Sequence, residues 1–335
     1  MTQVSLSHQP RLYIDNQLIE SNISGTVSFP GKNQLSSLNV VLPNPDAQFR
    51  VLLNKTIKLY LNSNDSVPVF RGIITSITPS DRNTRIVAND FRRLITGNDG
   101  LRIEVNDDKN YDNYTLAQFI QKIINDKNVN IGVDFLKDTN PTVNLKGVRE
   151  ISDVYKIIIE KIKDAVDFTD VNEPLRHFID MYDDGNTSQI VIKKDLSIKS
   201  KPSYNFSFND GIVSYNYKRR NRPNNVVYKG GEFTFSNTPE GKVTIDIKDS
   251  GDIATNRTLA IKQILLERQQ KDEITLNVSK CYDVALGTIV HLDVDEVDIL
   301  GNHRVVGKNI NFGASVSCVL RLNKEQPKLS EYLSQ

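Results

Sequence analysis

Apolar and polar positions alternate through the stretch from Lys55 to Leu94. Ile57, Leu59 and Leu61 are separated by Lys58 and Tyr60, the period of a strand with one face on a core. The β-branched run from Val69 through Phe70, Ile73 and Ile74 to Ile77 reads as a strand buried on both faces. Arg85 to Leu94 supplies a third. The breaks, Asn62-Ser63-Asn64-Asp65-Ser66 and Pro79-Ser80-Asp81-Arg82-Asn83, are turn chemistry. The pattern predicts an antiparallel meander, half of a barrel or sandwich.

Before this stretch, Leu12 and Ile14 precede Asp15-Asn16, with Leu18 beyond, which predicts a short hairpin. Gly25 to Phe29 is a strand ended by Pro30-Gly31. Leu38, Val40 and Leu42 alternate with Asn39 and Val41, and Pro43-Asn44-Pro45-Asp46 closes that strand, because proline cannot continue a ladder. Residues 1–98 therefore read as an all-β unit of about six strands.

The period changes after Gly97-Asn98-Asp99-Gly100. Thr115 begins a helix with Leu116, Phe119, Ile120, Ile123 and Ile124 on one face, and Thr115 and Gln118 have capping-box spacing. A second helix runs from about Ser152 to Val166, with Val154, Tyr155, Ile158, Ile159, Ile162, Ala165 and Val166 in its stripe. That stripe needs a partner, and the first helix is the nearest candidate. Leu175 to Tyr182 and Gln189 to Lys193 flank Asp183-Asp184-Gly185-Asn186, a hairpin signal; the first arm also fits a helix with Pro174 in its first turn. Residues 99–203 thus form an inserted α+β module.

The strand pattern returns at Tyr204. Phe206 and Phe208 alternate with Ser207, and Val213, Tyr215 and Tyr217 alternate with Ser214 and Asn216. Val226 to Tyr228 leads into Gly230-Gly231, and Val243, Ile245 and Ile247 make another strand. A helix spans about Ala254 to Gln270, with Leu259, Ile264 and Leu265 apolar. The last β run holds Ile274 to Val278, Thr288 to Val294, Val305 to Ile310 and Val316 to Leu322. Residues 204–323 form a second β unit with a helical excursion near 252–270, and 324–335 are a polar tail. The step from Ile57 to Ile73 equals that from Ile289 to Val305, and the step from Ile73 to Ile86 equals that from Val305 to Cys318. This echo fits either a duplication or a coincidence of strand spacing. The predicted fold class is mainly β, two antiparallel barrel or sandwich domains with an inserted helix-containing module.

Composition narrows the classes. The chain has 335 residues, enough for two or three domains, with 42 Lys+Arg against 41 Asp+Glu. That balance argues against a general nucleic-acid binder. No apolar run approaches a transmembrane length, and Met1 to His8 lacks the regions of a signal peptide; the expectation is a cytoplasmic chain without stable membrane insertion. Cys281 and Cys318 sit in predicted strands and read as small core residues.

Catalytic constellations are missing. His8, His177, His291 and His303 are the histidines, and none has the helical spacing of a zinc site. There is no Walker A loop, no G-x-S-x-G and no C-x-x-C. Asp293, Asp295, Glu296 and Asp298 lack the spacing and central glycine of a calcium loop and read as a solvated strand end. Lys218, Arg219, Arg220 and Arg222 lack an aromatic platform in a regular array and read as a solvated or inter-subunit loop. No catalytic, metal or cofactor-binding residue is expected, and no cofactor.

Phe70-Arg71-Gly72-Ile73-Ile74, followed by Ile86-Val87-Ala88-Asn89-Asp90-Phe91, resembles the first tube domain of phage tail baseplate hub proteins, also called late control proteins. Leu38-Asn39-Val40-Val41-Leu42 with Asn44-Pro45-Asp46 resembles the preceding strand and turn. Asn225-Val226-Val227-Tyr228-Lys229-Gly230 is similar to the segment entering the second tube domain. Leu286-Gly287-Thr288-Ile289-Val290 through Gly301-Asn302-His303-Arg304-Val305-Val306 resembles its end. The resemblance covers most of the chain as an order of elements. It implies two tube-like β domains in a homotrimer that joins the tail tube to the central spike, among other baseplate proteins of a contractile tail or injection system. DNA or other cargo passes through such a ring. It implies a virion structural protein assembled in the host cytoplasm; some such hubs carry a wall-degrading domain, but this sequence shows no motif for one, and the expectation is a non-enzymatic hub. Two other classes stay open: an enzyme on an unfamiliar β scaffold, and a receptor- or carbohydrate-binding protein of the virion surface.

Overall fold

The structure, a computed structural model, describes residues 10–323 except 20–21, 32, 44–51, 63–64, 96–102, 106–110, 112–113, 127–131, 136–141, 144–148, 152–153, 165, 168–174, 184–187, 219–223, 235–243, 247–248, 250, 270–272, 280–282 and 295–298. The tail 324–335, His8 and Cys281 lie outside the described residues.

Seven strands precede the module: β1 (Arg11–Ile14), β2 (Gln17–Ile19), β3 (Ser24–Phe29), β4 (Ser37–Pro43), β5 (Thr56–Tyr60), β6 (Phe70–Pro79) and β7 (Asn83–Asn89). The first hairpin turns on Asp15 and Asn16, at φ 50° and 65°, left-handed values that suit these residue types. β4 and β5 bury every second side chain. β6 does the same, with Phe70, Gly72 and Ile74 buried and the intervening residues partly exposed. The expectation that it is buried on both faces is corrected: an antiparallel sheet keeps one face to solvent, and β-branched residues fill both. Arg85 to Leu94 is not one strand. β7 stops at Asn89, and Phe91–Ile95 forms a 3-10 turn.

The module holds β8 (Ile103–Val105), β9 (Tyr114–Thr115), α1 (Leu116–Asp126), β10 (Gly132–Phe135), β11 (Thr142–Val143), β12 (Arg149–Ile151), α2 (Val154–Asp164), β13 (Val166–Asp167), β14 (Leu175–Asp183) and β15 (Ser188–Lys194). The capping box forms as expected: Thr115 N–H donates to Gln118 Oε1 at 2.9 Å, and Gln118 N–H to Thr115 Oγ1 at 3.3 Å. Leu116, Phe119, Ile120, Ile123 and Ile124 share a core with Tyr155, Ile158 and Ile162 of α2, so the two helical stripes do meet. The helical alternative for the arm after Pro174 is excluded, because β14 pairs with β15 from His177↔Lys194 to Asp183↔Ser188. α2 is shorter than expected, and Val166 lies in β13 instead.

Nine strands follow: β16 (Tyr204–Ser207), β17 (Ile212–Lys218), β18 (Asn225–Tyr228), β19 (Gly231–Thr234), β20 (Thr244–Asp246), β21 (Glu273–Val278), β22 (Ile289–Val294), β23 (Ile299–Phe312) and β24 (Ser317–Leu322). Phe208 falls beyond β16 and is exposed. Val213 does not share the face of Tyr215 and Tyr217. It is the extra residue of a bulge between Ile212 and Ser214 and is 69% exposed, since a bulge shifts the side-chain period by one. α3 (Ile253–Gln269) covers β18–β20 through Ala260 and Ile264 against Val226. Leu259 points outward; the buried row is Asn256, Ala260, Ile264 at four-residue steps.

Except for β18–β20, which form a separate sheet ordered β19-β18-β20, the strands of both β units join one 13-stranded sheet, ordered β17-β21-β24-β23-β3-β4-β7-β6-β5-β1-β2, with β16 and β22 off the path. Val27 in β3 pairs with Ile310 in β23. One continuous core runs from Leu12 to Leu322 through both units, and Cys318 lies buried in it.

Candidate functional site

Eight consecutive strands, from β17 to β6, share a face that points away from this core. Cross-strand rungs place small neutral side chains together there. Asn277 Nδ2 donates to Ser214 Oγ at 2.6 Å, Ser28 Oγ to Asn309 Oδ1 at 2.8 Å, and Thr26 Oγ1 to Asn311 Oδ1 at 2.9 Å. Thr75 Oγ1 donates to Asn89 Oδ1 at 3.3 Å and Arg85 Nε to Asn39 Oδ1 at 2.9 Å. Arg321 folds over Gly307, where an added Cβ would strike its guanidinium, and donates to the Pro30 carbonyl. Burial pushes the Arg321 pKa down. The face thus carries hydroxyl-and-amide pairs that satisfy one another, interspersed with Val41, Val87 and Val319 and with the charged residues Arg85, Arg321 and Glu273.

The module is fastened to this sheet by a buried cluster. Asp90 and Arg92 are 3% and 1% exposed. Arg92 Nε donates to Asp90 Oδ1 at 3.0 Å and Nη2 to Asp90 Oδ2 at 2.6 Å. Its remaining donors reach the Ile179 carbonyl of β14 at 3.0 Å and Ser36 Oγ at 3.3 Å. Asn33, at φ 61°, accepts from Tyr155 O–H at its carbonyl and from Ile179 N–H at its side chain, at 3.1 and 2.8 Å. Burial pushes the Arg92 pKa down, but the Asp90 carboxylate outweighs it and the net shift is upward. Burial likewise raises the Tyr155 phenol, partly opposed by Arg92. Charge, fork and carbonyl hold β4, β7, α2 and β14 in one arrangement. Arg92-Arg93 offers two equal candidates in the sequence, so which one is buried could not be read; an Asp two residues before an Arg at a strand end was the available hint.

The chemistry weighed on sequence grounds stays dispersed. His291 faces Asn302 across the ladder, with Nδ1 2.9 Å from Asn302 Oδ1, whereas His303 pairs with Val290 on the next rung. Successive rungs put the two rings on opposite faces. His177 is buried in β14. Asp295, Glu296 and Asp298 lie outside the described residues, as do Arg219, Arg220 and Arg222; Asp293 and Lys218 are exposed at strand positions. Among the described residues, no three His, Cys, Asp or Glu side chains group as a metal site.

No family model and no curated protein matches the sequence. Solved structures do. A tail protein from Neisseria meningitidis MC58 aligns over 95% of this chain and 97% of its own, with TM-score 0.69 and 15% identity. The 43 kDa tail protein of prophage MuSo2 from Shewanella oneidensis aligns over 94% and 96%, with TM-score 0.67 and 12% identity. A type VI secretion component of E. coli aligns over 94% of this chain and 77% of its own, at TM-score 0.59 and 9% identity. The chain thus has the β-rich fold of phage tail proteins and of a type VI secretion component, as its resemblance to baseplate hubs led one to expect.

Proposed function

We propose that this chain is a structural hub of a phage tail or tail-like particle. In that reading it forms a homotrimeric ring between tail tube and central spike and leaves a channel for DNA or other cargo. Near-complete overlap with tail proteins along the whole chain supports a tail role. The observation that carries the ring is the eight-stranded run from β17 to β6: among the described residues the outer edge of β17 is unpaired, and β6 is paired with β5 along its first half only. Three copies would set six similar β units around an axis, and the hydroxyl-and-amide face would line the channel. Side chains that satisfy one another offer passing cargo few strong contacts. The domain plan follows: 1–98 and 204–323 as the tube-like units, 99–203 outside the wall, 324–335 as a tail. Activity is structural rather than enzymatic, and the site of action is the virion baseplate after assembly in the host cytoplasm. Mass measurement and electron-microscopic class averages of the purified protein test this. A trimer with a central channel and six similar lobes is expected; a two-fold dimer, or a particle without a channel, refutes it.

A further inference from the structure

The two β units repeat each other more closely than their sequences do. In the first, the sheet order is β3-β4-β7-β6-β5; in the second it is β17-β21-β24-β23-β22. Both orders take five successive strands of a unit as first, second, fifth, fourth, third, once the excursion β18–α3 is set aside. The local hydrogen bonds agree as well. Asn54 N–H donates to the Ile74 carbonyl and Ile74 N–H to that of Lys55; Gly287 and Val305 make the same pair of bonds with Thr288. Asn54 and Gly287 have φ of 65° and 80°. A bulge follows at once in each copy, between Ile74 and Ser76 and between Val305 and Gly307. These matches equate Thr56 with Ile289, Ile74 with Val305 and Thr84 with Cys318. The repeat is therefore one of connectivity. The equal spacings noted in the sequence align it one or two residues out of register.

Within these five strands the repeat breaks at β6. In the second unit, β23 receives β22 along its first half and β3 along its second, Lys308↔Phe29 to Phe312↔Gly25. In the first unit, β6 receives β5 along its first half, Thr56↔Ile73 to Leu59↔Phe70. Among the described residues nothing pairs with its second half on that side. The strand equivalent to β3 is β17, and its side away from β21 is also unpaired among the described residues. The vacancy on β6 and the free edge of β17 are thus the two halves of a junction that the chain makes within itself at β3–β23. Val213, 69% exposed, and Phe208, 41% exposed and edge-on to Tyr215 at 5.5 Å, stand beside that free edge.

We propose that the end of β17 of one copy pairs antiparallel with the end of β6, from Thr78, in the next copy, head to tail, so that the junction between copies imitates the one within each copy. The strands follow from the repeat alone; closure at three copies rests on the hub reading. A heterologous contact of this kind closes a ring when its rotation divides the circle, and it removes two bare strand edges. Carrying the β3–β23 register across sets Thr78 opposite Lys218 and Pro79 opposite Tyr217. Thr78 and Lys218 are both exposed in the single chain.

The test is oxidative cross-linking of the full chain with Thr78→Cys and Lys218→Cys in a Cys281→Ser background, beside each single variant. Directly opposite residues of an antiparallel pair lie within disulfide reach. Covalent dimers and trimers that need both cysteines are expected. A trimeric ring that cross-links neither at 78–218 nor, with Ser80→Cys and Asn216→Cys, two residues along in the same register would overturn the strand pairing and leave the hub reading standing. Covalent chains running well past three would support the pairing and overturn closure. A monomer at tens of micromolar without cross-links overturns the pairing. Charge provides a check that spares the fold: Thr78→Glu should tighten and Thr78→Lys weaken self-association, by about twofold to fivefold each. Equal dissociation constants for the two would also overturn it.

Discussion

Replacing Arg92 by methionine should uncouple the inserted module from the sheet. Methionine keeps most of the stem volume and removes the guanidinium. Asp90 then stays buried with its backbone donors, Ser36 N–H and Arg92 N–H, but without its counter-charge. The Ile179 carbonyl loses the Nη1 donor. Breaking a buried ion pair from one side costs about 3–5 kcal/mol, and an orphaned buried carbonyl accounts for about 1–3 kcal/mol of such a loss. We expect a total near 4 kcal/mol at neutral pH, by urea denaturation followed with far-ultraviolet circular dichroism, and faster proteolysis of 99–203. Arg93→Met, one residue on and only partly buried, should cost about 1 kcal/mol or less. Asp90→Asn in the Arg92→Met background should restore part of the loss, leaving a coupling of about 0.5–3 kcal/mol. If Arg92→Met and Arg93→Met cost the same, or if the cycle is additive, the buried pair does not hold this junction.

Three further outcomes follow from single features. Gly72→Ala should destabilise by about 1–3 kcal/mol on urea denaturation, since a Cβ there would press into the Asn89 carbonyl; a neutral result would mean that β6 and β7 can separate freely. Burial, then its hydrogen bond to Asp283, pushes the Tyr204 phenol up to about 12. Its stabilising contribution should be whole below pH 10 or so and fade as pH rises through 12, and an absorbance difference titration against Tyr204→Phe checks the midpoint. Replacing 99–203 with a short Gly/Ser linker should leave a cooperative β melt, because β3 pairs with β23 without help from the module and loop closure depends only weakly on length; a molten product would place the fold boundary elsewhere.

The sequence by itself determined the elements. Alternation marked β4 and β5, the 3.6 period marked α1 and α2, and Thr115 with Gln118 marked a helix start, because each signal depends on neighbours within one turn or one strand. The class of fold was legible too, through the order of those elements. Burial of β6 on one face, the bulge that turns Val213 outward and the end of β7 at Asn89 depend on which strand lies alongside, and local propensity cannot report that. Tertiary structure alone decided three larger matters. It joined two β units into one sheet through β3 and β23, segments far apart in the chain. It chose Arg92 over Arg93 for the buried pair. It revealed the repeat in connectivity, which the equal spacings had aligned wrongly, because strand pairing is set by hydrogen bonds between distant segments while residue spacing along one segment is not.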